Sequence, residues 1–270
     1  MTHNRARVLV SISLVGGLIA VASAQDWKTK SPTPAEWAAM AKLPDFNGVW
    51  EAGRPPGAAP PPGRAAGGAA APAAGRGRAG GAAPAGPQLT PAYTAKRQEN
   101  SARGAEDNES ANCLPPGMPG IMGQPYPMEF LLTPGKMTIV IEAYTQVRHI
   151  YTDGRPLPSD PDPKFFGTSV GRWEGDTLIV DSVGFSPLTQ LTANTPHSEK
   201  MKITERFRLT TADVMTVETT VTDPEALVAP WTSSRTLIRH RDWTVSEYIC
   251  EENNRNYVDA AGKAGIKLDK

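Results

Sequence analysis

In Gly171-Arg172-Trp173-Glu174-Gly175-Asp176-Thr177-Leu178-Ile179-Val180-Asp181, a turn-forming Glu174-Gly175-Asp176 separates two strand-like runs and leaves charged residues at both ends. That is the pattern of a β-hairpin. The same period-two grain continues on both sides of it. Met128 to Thr133 and Met137 to Tyr151 flank Pro134-Gly135, and Phe165 to Trp173 and Thr177 to Phe185 flank the Glu-Gly-Asp turn. Met201 to Thr210 and Val214 to Thr222 flank Thr211-Ala212-Asp213, and Trp231 to His240 and Trp243 to Cys250 meet across Arg241-Asp242. Successive hairpins predict an all-β domain, an antiparallel meander of roughly eight to ten strands, closed as a barrel or folded as a sandwich. The barrel is the expected form. No glycine-rich turn opens a helix in the manner of a nucleotide-binding α/β fold.

Upstream of the hairpins the chain changes character several times. Residues 1–24 carry Arg5 and Arg7, an apolar run from Val8 to Ile19, and Ala22-Ser23-Ala24 before Gln25, the three-part pattern of a secretory signal peptide. Residues 25–52 predict a capped short helix at Ser31-Pro32-Thr33-Pro34-Ala35-Glu36-Trp37 and a first strand, entered through a turn, at Leu43-Pro44-Asp45-Phe46-Asn47-Gly48-Val49-Trp50-Glu51. Within 53–89, the run from Gly53 to Pro87 uses only Gly, Ala, Pro and Arg, a composition that cannot form a core and predicts a disordered insertion. Residues 90–127 open with Thr90-Pro91 as helix start and continue through a polar helix to a Pro-rich loop. The barrel body is expected over 128–255, with a C-terminal tail at 256–270.

Removing the leader lowers the basic count from 28 to 26 against 28 acidic residues. The near-neutral balance, with no basic stripe, excludes the electrostatic footprint of a nucleic-acid binder. No later stretch approaches the ~18 apolar residues of a spanning helix. Cys113 and Cys250 are the only cysteines. In an exported protein such a distant pair predicts one disulfide. These features point to a periplasmic or secreted protein without a membrane span.

Several blocks resemble an uncharacterised exported bacterial family: Cys113-Leu114-Pro115-Pro116-Gly117, Pro125-Tyr126-Pro127, Tyr151-Thr152-Asp153-Gly154-Arg155, Ser169 to Asp181, Pro196-His197-Ser198, Thr204-Glu205-Arg206-Phe207, Asp223-Pro224 with Pro230-Trp231, and Glu247-Tyr248-Ile249-Cys250. Together they extend over most of residues 90–255. The resemblance implies export and a shared fold, and it transfers no active site. More weakly, Gly48-Val49-Trp50 resembles the Gly-x-Trp of lipocalin-like barrels, in which the tryptophan closes one end.

Alternation in strands also locates polar residues that share a face with apolar ones. Glu205 lies among Met201, Ile203, Phe207 and Leu209, and Glu247 among Trp243, Val245 and Ile249. A third face, read as one strand, comprises Met137, Ile139, Ile141, Ala143, Val147, His149 and Tyr151. An inward glutamate is either a paired structural ion or a general acid or base with a raised pKa. Arg148, Arg172, Arg206, Arg208, Arg235 and Arg239 are the available partners. His197, in a loop entering a strand, and His149 are the other proton-transfer candidates. Arg172 is a candidate for orienting a substrate anion, or for pairing with Asp176 or Asp181 across its hairpin. Tyr151, Trp173, Asp181 and Glu247 complete the expected substrate-binding set. No zinc spacing or nucleophile-elbow motif is present, and neither metal nor cofactor is expected.

The leading functional expectation is binding of a small amphipathic or aromatic molecule in the barrel cavity. Its alternatives are cofactor-independent acid/base chemistry there (isomerisation, elimination or hydrolysis) and a structural role at the cell envelope through a protein or polymer partner.

Overall fold

The computed structural model describes residues 31–53, 86–103, 113–250, 256–258, 260 and 264–266. The expected signal peptide and most of the Ala/Gly/Pro insertion lie outside the described residues. Helix α1 (Pro34–Met40) starts where Thr33 caps it, with Glu36 accepting a hydrogen bond from the Thr33 backbone. This is the reciprocal capping box that satisfies orphan N–H groups. Strand β1 (Gly48–Ala52) precedes α2 (Pro91–Arg103), whose sole buried residue is Tyr93. Then come β2 (Met128–Thr133), β3 (Lys136–Ile141), β4 (Gln146–Tyr151), β5 (Thr168–Glu174), β6 (Thr177–Val183), β7 (Lys202–Thr211), β8 (Val214–Thr222) and β9 (Trp231–His240). The nine strands form a closed barrel in chain order, with β9 returning to β1 through Val49↔His240 to Ala52↔Leu237. A separate two-stranded sheet of β10 (Asn256–Val258) and β11 (Ala264–Ile266) occupies the segment expected to be a tail. No helix among the described residues is long and apolar enough to cross a membrane.

The hairpin at Gly175 forms as its sequence predicts, with the glycine at φ +62° and Glu174 opposite Thr177. Alternation then fills the barrel. Ile203, Glu205 and Phe207 of β7 are buried while Lys202, Arg206 and Arg208 point outward. The inward residues Trp50, Phe130, Met137, Ile139, Met215 and Leu237 join Met118, Ile121 and Met122, which the Pro-rich segment contributes. The interior is therefore filled by a cluster of buried apolar side chains. Trp50 is sealed from solvent, its indole N–H donating to the Phe46 carbonyl at 2.9 Å under the Arg239 guanidinium, 4.5 Å from its ring centre.

Three departures from the sequence reading matter for the site. First, Met137 to Tyr151 is not one strand. The chain turns at Glu142–Thr145, where Tyr144 and Thr145 take φ of +59° and +50°. The turn reverses the side-chain parity between β3 and β4. Met137, Ile139 and Ile141 face inward on β3, but on β4 it is Arg148 and Ile150 that are buried, and Val147 and His149 are exposed. Second, Trp243 to Cys250 forms no strand. Both edges of β9 are already taken by β8 and β1, so no ladder position remains for it. The segment instead crosses the β3–β4 turn, with Ser246 N donating to Glu142 Oε2 at 2.8 Å and Thr145 Oγ1 donating to the Tyr248 carbonyl at 2.7 Å. Third, β4 and β5 pair in parallel, and only at Ile150↔Ser169 and Tyr151↔Val170. Every other junction of the barrel is antiparallel. Cys113 and Cys250 are at bonding distance, with Cα atoms 5.7 Å apart.

Candidate functional site

Four adjacent strands place polar side chains at one point inside the barrel: Arg148 from β4, Ser169 from β5, Ser182 from β6 and Glu205 from β7. Arg148 Nη1 donates to Glu205 Oε1 at 3.1 Å and Nη2 donates to Oε2, a two-point pairing. Nη2 also lies 3.3 Å from each serine hydroxyl, and the two hydroxyls are 2.7 Å apart. Both members of the ion pair are about 1% exposed. Burial of the two charges is offset by their two-point pairing and by the serine hydroxyls on the Arg148 side. A second guanidinium, Arg235 of β9, feels the Glu205 charge, but burial is the larger effect and lowers its pKa. Arg235 Nη2 donates to the Pro119 carbonyl at 3.2 Å. With both oxygens held by Arg148 and no solvent access, Glu205 is placed as an ion-pair partner linking β7 to β4.

Directly outside this cluster the barrel wall is incomplete. Because β4 and β5 share only two register pairs, the first part of β4 and residues 164–168 stand apart, and a cleft of about 420 Å³ opens between them. Its volume falls within the range of small-molecule sites. Arg148 and Ser169 form its floor, and Gln146, Val147 and His149 its β4 side. The opposite wall is Lys164-Phe165-Phe166-Gly167-Thr168, and Tyr151 completes the lining. The turn of this wall depends on Gly167, at φ +66°. A Cβ there would meet Val183 O at 2.6 Å and the Phe185 ring at 2.9 Å.

His149 sits on the cleft with Nδ1 3.4 Å from Thr138 Oγ1. Partial burial, and then the Lys136 charge, lower its pKa, so the neutral imidazole is favoured near neutrality. The Arg155 guanidinium covers the Tyr151 ring at 3.7 Å and is itself held by Asp153. The Asp153 carboxyl is held below its usual pKa mainly by that hydrogen bond from Arg155.

The other expected site residues lie elsewhere. His197 is buried, with Nδ1 2.9 Å from the Ser198 carbonyl, Nε2 3.0 Å from Thr189 Oγ1, and Phe185 edge-on to its ring. Neighbouring Ser198 donates to Asp223 through both N and Oγ at 2.7 and 2.6 Å, and the whole set pins a loop. Arg172 is on the outer surface, bonded to Asp181 at 2.6 Å and Glu174 at 3.1 Å. Asp181 accepts from Thr204 as well, at 2.7 Å. Trp173 packs on Phe46, ring centres 5.1 Å apart. Glu247 is exposed on the non-strand segment and does not join Glu205. Of the expected set, only His149 and Tyr151 line the cleft, and Glu205 lies beneath it through Arg148.

Lys164, Phe165, Phe166 and Gln146 carry no motif or alternation that marks them as site residues in the sequence. The length of the Met137 to Tyr151 run was the available signal, since strands are usually about five to six residues long. Among the described residues no three His, Cys, Asp or Glu side chains converge as a metal site. No family model, curated protein or solved structure matches this chain.

Proposed function

We propose that this is an exported binding protein for a small amphipathic or aromatic molecule, which it takes up in the β4/β5 cleft. One observation carries the reading: where the ladder parts, aromatic Tyr151, Phe165 and Phe166 share a cleft with Gln146, His149, Lys164 and Thr168, over a floor of Ser169 and an Arg148 fixed by its buried pairing with Glu205. Aromatic surface combined with polar groups that fix orientation is a usual feature of ligand sites. The packed interior argues for the cleft over the barrel lumen as the binding place. Export is supported by the leader pattern of residues 1–24 and by the bonded cysteine pair. Gly48-Val49-Trp50, at the start of β1, supports a lipocalin-like reading of the barrel.

A second reading, proton transfer on the bound molecule by His149, is favoured by its position on the cleft and its neutral imidazole. It differs in outcome: His149→Gln would then abolish turnover while leaving binding in place.

Native mass spectrometry of the protein isolated from its own cells tests the binding reading. The expected result is one small molecule per chain, lost in His149→Trp, which fills the cleft mouth. Retention by that variant would move the site elsewhere. An empty protein would favour a structural role at the envelope.

A further inference from the structure

The cleft's charge is one-sided. Its lining includes Lys164, His149 and Arg148 and no acidic residue. These basic groups are not equivalent. Arg148 is consumed by Glu205, and His149 is held toward its neutral form. Arg155, over Tyr151, is bonded to Asp153. Lys164 differs: its ammonium makes a long 3.5 Å approach to Thr168 Oγ1, and among the described residues no carboxylate pairs with it. Its backbone is nevertheless fixed. Lys164 N donates to Gly184 O at 3.0 Å, and Lys164 O accepts from Ser186 N at 2.8 Å and Gly167 N at 3.2 Å. An ammonium with three donors and no acceptor capacity is thus carried on a fixed backbone at the rim of an aromatic-walled cleft.

We infer that the ligand of this cleft is an aromatic molecule carrying a single anionic group, with the anion on Lys164 and Thr168 and the ring against Tyr151, Phe165 and Phe166. This assignment rests on the cleft being the binding site. One uncommitted cation matches one negative charge. A neutral ligand would leave the Lys164 ammonium in water and gain nothing from it, whereas a charge-assisted hydrogen bond is among the stronger polar contacts.

Titration calorimetry of the purified protein with 2-naphthoate and with 2-naphthamide, on the parent and on Lys164→Met, tests this. The expected result is a preference for naphthoate on the order of tenfold, the size of one hydrogen bond to a charged group. The preference should vanish in Lys164→Met while affinity for the amide stays. Equal binding of both probes to the parent would overturn the anionic assignment and leave the cleft reading standing. A preference that survives Lys164→Met would overturn the role of Lys164. Failure of both probes to bind would sink the cleft reading and this inference with it.

Discussion

Replacing Glu205 by Gln removes one charge from a pair whose two members are sealed from water, and leaves the Arg148 guanidinium buried with two serine hydroxyls for company. The cost of such an uncompensated charge is about 3 to 5 kcal/mol, enough to take a large share of a domain's stability. We expect Glu205→Gln to lower the urea midpoint accordingly and the Arg148→Met/Glu205→Met double variant to recover much of the loss. A single variant as stable as the parent would contradict the ion-pair role. At His149 the effect is one of pH. Its folded pKa is lowered, so between the folded value and the ordinary value near 6.5 the unfolded chain binds more protons, and stability rises with pH. The penalty is absent above that window and complete below it. His149→Gln should flatten this part of the stability profile, read as denaturation midpoints against pH. An unchanged slope would mean the imidazole is not held neutral by the fold.

One turn decides the shape of the cleft wall. Gly167→Ala would force a side chain into the left-handed region and against Val183 O, at a cost of about 1 to 3 kcal/mol for the backbone alone. It should also weaken ligand binding more than Gly154→Ala, another positive-φ glycine, which has open space around it. Equal effects on binding would show that the 164–168 turn does not shape the site. Elements of this kind explain how far the sequence could be read. The Glu174-Gly175-Asp176 turn and the capped helix within Ser31 to Trp37 are local chemistry and legible in the sequence, although the structure alone assigns the cap to Thr33 and Glu36. The β3–β4 turn was not, because Tyr144 and Thr145 adopt positive φ without glycine and apolar residues continue on both sides of it. That one turn reversed the facing of His149 and Arg148, and so hid which of them reaches Glu205. Trp243 to Cys250 alternates like a strand, but its pairing edge was claimed by β1 from the far end of the chain, a competition no local pattern records. The cleft was illegible for the same reason, since it arises from the short parallel register between β4 and β5.

At the scale of the whole molecule, the disulfide and the barrel closure are one arrangement. The bond joins residues 137 apart in sequence and encloses β2 to β9 in a single covalent loop, leaving β1 outside it. β1 is the strand that pairs with both β2 and β9. The bond therefore ties together the chain segments leading into β2 and out of β9, the two strands between which β1 must dock. In the chain-entropy account a loop of this length stabilises the native state by about 4 to 5 kcal/mol. We expect Cys113→Ser/Cys250→Ser to lose stability toward that size. Local opening should concentrate in β1, the strand that completes the ladder from outside the covalent loop. Amide hydrogen exchange should rise first over Gly48–Ala52, and Trp50, fully buried in the intact barrel, should report the opening in its fluorescence. Exchange that rises evenly over all nine strands would show that the bond stabilises the fold globally and does not guard the β1 closure.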